Sequence, residues 1–115
     1  MESKAPLTTL WYHVLLVLWE EPRHGYGIIK EIERQTGGQM APETGTLYTA
    51  IRRLQDQGLL EPSAEPLGGR RGPLYRLSRR GRAALQAETR RLHELVGLAR
   101  KMRIYVPGQA GSGRR

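Results

Sequence analysis

The chain contains no cysteine. Disulfides, thiolate metal sites and a cysteine nucleophile are therefore excluded, and the composition fits a reducing cytoplasm. Long apolar runs are missing as well. The longest, Val14 to Trp19, falls far short of the ~18 residues of a membrane span. No basic start followed by an apolar stretch marks a signal peptide. Aspartate occurs once, as Asp56, and the histidines are His13, His24 and His93, without HxxxH or HxH spacing. Neither a catalytic triad nor a metal site is indicated. The glycines before Arg70 are not followed by GK[ST], so they form no phosphate loop. An enzyme is not expected from this sequence, nor a metal or other cofactor.

What is abundant is positive charge. The 115 residues, enough for one domain, carry 19 Lys and Arg against 11 Asp and Glu, a net +8. The charge is uneven. Residues 1–66 hold six cations against nine acids, whereas residues 67–115 hold thirteen cations against Glu88 and Glu94 alone. A basic half is a footprint for a polyanion.

The arrangement along the chain narrows this. Thr8 or Thr9 can cap a first helix in which Leu10, Trp11, Val14, Leu15 and Leu18 recur at helical spacing. Glu20-Glu21-Pro22 closes it, since proline disfavours helix in the preceding residue. After His24-Gly25-Tyr26-Gly27 comes a second helix with Ile28, Ile29 and Ile32 on one face, stopped by Gly37-Gly38. A third begins near Glu43 or Thr44. Leu47, Ile51 and Leu54 form its core stripe, while Gly45, Thr49, Arg52 and Asp56 project oppositely, flanked by Thr46, Tyr48 and Arg53.

Leu59 to Leu77 reads as a two-stranded hairpin with a basic, glycine-rich tip at Arg70 and Arg71. Ser78 then caps a long last helix reaching Val106. Leu85, Leu92, Ala99 and Val106 repeat every seventh residue, with Leu95 and Met102 three residues after the second and third. This a/d pattern, interrupted by Glu88, predicts a dimerisation seam of Leu85, Leu92, Leu95, Ala99 and Met102.

Three helices, a hairpin and a further helix follow the winged helix-turn-helix order. The fold class expected is mostly α with a small β-hairpin. Residues 1–77 would form the DNA-binding domain, 78–106 the dimerisation helix and 107–115 a disordered tail. In this arrangement the third helix lays its polar face in the major groove and the hairpin tip reaches phosphate or a minor groove. The strings HGYGIIKEIE, GTLYTAIRRLQDQGLL and PLYRLSRRGRAAL, in this order over about residues 7 to 96, resemble PadR-type transcriptional regulators of the short kind with one C-terminal helix. The resemblance implies a homodimeric repressor on a palindromic operator, many relatives answering to small aromatic or amphipathic molecules.

The candidate DNA-binding residues are Tyr26, Thr44, Gly45, Thr46, Tyr48, Thr49, Arg52, Arg53, Arg70 and Arg71. Arg52 and Thr49 would meet a base edge or phosphate, Arg to guanine being the commonest specific pairing. Thr44, Gly45 and Thr46 lie where amides and hydroxyls can meet a phosphate, although Thr44 equally suits a plain N-cap. Tyr48 is expected ring-packed with its hydroxyl outward. For Tyr26 the resemblance adds weight to DNA contact. Trp11 and Trp19, eight residues apart, are core residues by default. If the first helix lies at a dimer interface, they could border a pocket for a flat aromatic effector. The competing function is a winged-helix adaptor that binds protein or RNA without reading DNA sequence. Such an adaptor would more often present apolar anchors on the third helix.

Overall fold

The computed structural model describes residues 7–63 and 72–104. Helix α1, Thr9–Val17, starts where the Thr8 hydroxyl accepts a hydrogen bond from the Trp11 amide at 3.1 Å. It ends earlier than Pro22 suggests. The Arg23 Nε donates to the Val17 carbonyl at 2.8 Å, and Arg82 Nη2 donates to the Trp19 carbonyl at 3.1 Å. Two arginines thus satisfy carbonyls at and just beyond the helix end.

Strand β1, Arg23–His24, leads directly into α2, Gly25–Gln35. Past the α2 C-cap at Thr36, Gly37 adopts φ +61° and Gly38 φ +84°, left-handed conformations that glycine takes without a Cβ clash. Thr36 organises the connection that follows. Its hydroxyl donates to the Ile32 carbonyl at 2.9 Å and accepts from the Met40 amide at 3.0 Å. Helix α3 spans Thr44–Asp56.

Strands β2, Leu60–Pro62, and β3, Leu74–Leu77, form the expected hairpin. The sheet has one strand more than the sequence suggests. β1 pairs antiparallel with β3, so that β3 is central, with Arg23 opposite Tyr75 and Leu60 opposite Leu77. Two residues are too short to show an alternating pattern, which is why β1 escapes sequence reading. Pro62 stays on an outer strand, as its missing N–H requires.

Helix α4, Arg79–Lys101, is capped by the Ser78 hydroxyl, which accepts from the Gly81 amide at 2.9 Å. The core gathers Val14, Leu15, Val17 and Leu18 of α1 and its exit, Ile28 and Ile32 of α2, and Leu47, Ile51 and Leu54 of α3. Leu59, Leu60, Tyr75, Leu77 and Leu85 close it. Among the described residues no helix is long and apolar enough to cross a membrane. The stretch 107–115, expected to be a disordered tail, lies outside the described residues.

Candidate nucleic-acid interface

Helix α3 is divided lengthwise by its own periodicity. Leu47, Ala50, Ile51 and Leu54 are buried, while Thr44, Gly45, Thr46, Thr49, Arg52, Arg53 and Asp56 are exposed. Arg52 and Arg53 make no ion pair or side-chain hydrogen bond among the described residues. Asp56 lies a turn beyond Arg52 on the same face and sets a limit to how far an anion can follow the helix.

The start of α3 differs from expectation in one respect. Glu43 is the N-cap, and its side chain makes no capping hydrogen bond. Thr44 is the first helical residue, so its hydroxyl is not the cap. Among the described residues the leading amides of α3 have no side-chain acceptor, beside the exposed Thr44, Gly45 and Thr46. Such an end attracts anions through its oriented N–H groups.

Tyr48 faces inward more than sequence suggested. Its ring packs against the core, and its hydroxyl lies against Gly25 at the head of α2 rather than outward. A Cβ on Gly25 would overlap that phenol oxygen. The contact locks α2 against α3. Tyr26, by contrast, is 66% exposed, with the Lys30 ammonium 5.5 Å from its ring centroid. Lys30, at i, i+4 spacing from Tyr26, also meets Glu33 Oε1 at 3.5 Å.

Arg70 and Arg71, the expected hairpin tip, lie outside the described residues. The hairpin stem is held by an ion pair across the strands, Arg76 Nε to Glu61 Oε2 at 2.9 Å. The His24 ring Nδ1 donates to the Pro73 carbonyl at 3.3 Å.

Within the single chain the two tryptophans lie in different surroundings among the described residues. Trp11 lines a groove of about 370 Å³ between α1 and α3, together with Leu10, Thr46, Thr49, Ala50 and Arg53. Trp19 lies past the end of α1, where the Arg82 guanidinium stacks 4.5 Å from its ring centroid. Because α1 stops at Val17, helical spacing no longer relates the two rings.

Helix α4 changes character along its length. Leu85, expected in the dimerisation seam, is 3% exposed within the chain's own core and is unavailable to a partner. Glu88, an apparent break in the apolar pattern, is itself buried. It receives Arg91 through two hydrogen bonds, at 2.9 and 2.6 Å. Those bonds, with a further one from the Leu7 backbone, hold its carboxyl below the usual range against the opposing effect of burial. The Tyr12 hydroxyl meets Thr89 Oγ1 at 2.7 Å. The first half of α4 is thus fastened to α1. Beyond it, Leu92 and Ala99 are half-buried, whereas Leu95, Val96, Leu98, Met102 and Ile104 are exposed. The exposed apolar stripe of α4 therefore begins near Leu92, and Leu85 is not part of it.

The model of the transcriptional regulator PadR-like family matches residues 14–87. A transcriptional regulator of Mycobacterium tuberculosis is 36% identical over 84 residues, covering 73% of this chain and 76% of that protein. The solved structure of a PadR-like transcription factor from Bacteroides fragilis superposes with a TM-score of 0.67 at 26% identity, over 81% of this chain and 88% of that one. Bacillus subtilis PadR, solved in complex with operator DNA, shares the fold at TM-score 0.59 and 20% identity, over 70% of this chain and 47% of that one.

Proposed function

This chain belongs to the PadR-like family of transcriptional regulators, and is not an enzyme; from that premise we propose that it acts as a homodimeric repressor reading a palindromic DNA operator. The observation that carries the reading is the outer face of α3. Two exposed arginines, with no ion pair or side-chain hydrogen bond among the described residues, stand beside Thr46 and Thr49, and α3 itself contributes no large apolar side chain to that face. Such a face is provided with donors for base edges and phosphates, and it lacks the anchors that an adaptor surface would use.

In this reading Arg52 and Thr49 address bases. Thr44, Gly45, Thr46 and Arg53 address phosphates, as do Tyr26 and the hairpin arginines Arg70 and Arg71. The exposed half of α4, from Leu92 through Leu95, Ala99 and Met102, pairs with a second copy. Tyr48 supports the interface from behind by fixing α2 to α3.

A small flat effector completes the reading. The groove that joins Trp11 to Thr46, Thr49 and Arg53 mixes the apolar Leu10, Trp11 and Ala50 with polar side chains, a lining that suits a small amphipathic molecule. A molecule held there would cover side chains proposed for DNA, so that effector and operator would exclude one another.

The test is selection of genomic fragments by the purified chain, followed by sequencing. A recurrent palindrome supports the reading. Retention of fragments without a common sequence, or of RNA in preference to DNA, would refute it.

A further inference from the structure

Helix α3 and helix α4 are joined by more than the hairpin between them. Directly after α3, Gly58 takes φ +77° and turns the chain back, with the Leu59 amide bonded to the Leu54 carbonyl at 2.9 Å. The first turn of α4 closes on this exit. Ser78 Oγ donates to the Gly58 carbonyl at 2.6 Å, and the Ser78 amide donates to the Leu59 carbonyl at 3.1 Å. Gly81 then rests against the Leu59 carbonyl so closely that a Cβ would overlap the oxygen. On the other side of the same turn, Arg82 binds the Trp19 carbonyl and stacks on its ring.

We infer that this first turn of α4 is the joint that sets the distance between the two recognition helices of the dimer, with Gly81 as its positioning residue. The inference rests on the dimeric DNA-binding reading above and assigns a role in it to residues that touch no DNA. The obstacle at Gly81 is backbone, which cannot swing aside as a side chain can. A methyl group there must push α4 away from the exit of α3. From Gly81 to Lys101 the helix runs roughly 30 Å at about 1.5 Å per residue. A tilt of ~5° at the joint then moves the far end by ~3 Å, since the displacement grows with that length. This is close to the ~3.4 Å rise of one base pair. Half-sites are read at a fixed separation, so the preferred operator spacing is the quantity that the joint controls.

The absence of cysteine makes the test direct. Asp56→Cys, at the end of α3, gives one spin-label site per chain, and pulsed electron resonance then measures the distance between the two α3 helices of a dimer. Gly81→Ala is expected to shift or broaden that distance. On operators with the half-sites moved apart or together by one or two base pairs, it should shift the spacing optimum or flatten it. Affinity for a single half-site should stay within about threefold, because α3 itself is unchanged. Ser78→Ala and Arg82→Gln loosen the same joint without adding bulk, and they carry the test if Gly81→Ala does not fold. Folded dimers of these variants with the wild-type label distance and spacing profile overturn the inference. A wild-type chain that is monomeric overturns it together with the dimer. A dimer that selects no DNA sequence sinks only the operator reading, since the label distance still judges the joint.

Discussion

At the scale of single residues, Gly25 and Tyr48 act as a pair. The phenol occupies the volume a Cβ at Gly25 would need. Gly25→Ala should therefore cost about 1–3 kcal/mol, as overpacking usually does. Combined with Tyr48→Ala, the loss measured by urea unfolding should be smaller than the sum of the two single losses, because the second change removes the clash. Additive losses would mean that the two side chains do not compete for space. For Arg52 the partner proposed above lies on DNA. Arg52→Ala should lower operator affinity by ~1–3 kcal/mol and flatten the preference at one base pair if it reads a base edge. Equal weakening on every sequence would make it a phosphate contact. The exposure of Arg52 and Thr49 was legible from the 100° advance of a helix. The inward hydroxyl of Tyr48 was not, because it depends on a glycine one helix away whose lack of a side chain gives no periodic signal.

At the scale of elements, α4 is two helices in one. Leu85→Ala should destabilise the chain by about 2–5 kcal/mol, the usual result of truncating a buried leucine. Leu95→Asp, on a residue 48% exposed, should leave unfolding of the single chain nearly unchanged and abolish the dimer in light scattering. A persistent dimer would put the interface elsewhere. Between these two residues, Glu88 gives α4 a pH dependence. Its folded carboxyl lies below the ordinary value of 4.5, with its hydrogen bonds to Arg91 as the main cause. The stabilisation it adds is thus present above that value and is lost as pH falls through the lowered one. Glu88→Gln should be less stable than wild type at neutral pH, and the gap should close in strong acid. A gap independent of pH would show that the charge contributes nothing. Sequence reading located α4 and its cap but ran the helix on to Val106, although it ends at Lys101, and took Glu88 for a flaw in the seam. The Leu7 backbone and the arginine three residues on make burial tolerable, and neither appears in an apolar repeat. β1 was missed for a related reason, since what makes two residues a strand is the distant Tyr75 and Leu74 beside them.

At the scale of the whole molecule, charge and pairing act together. The half after residue 66 carries all of the positive excess, the half before it being net acidic, so much of any DNA affinity should come from displaced counterions. Arg70→Ala with Arg71→Ala should lower the slope of log K against log salt by roughly one per lost phosphate contact. An unaltered slope would place neither arginine on the backbone. The order of elements, and with it the architecture, was legible because proline or glycine separates each helix from the next element, even where the helix itself stops sooner. The groove beside Trp11 was not, since it exists only where α1 and α3 meet. The exposed leucines of α4 have one further consequence, for gene dosage. If two chains must meet before either half of an operator is held firmly, occupancy at low abundance follows the square of the copy number. Halving the supply then cuts occupancy about fourfold under mass action. Once pairing is complete, extra copies change little. A gene under such a chain would respond to the chain's abundance as a threshold, and the sharpness of that threshold would be written in the apolar stripe from Leu95 to Met102.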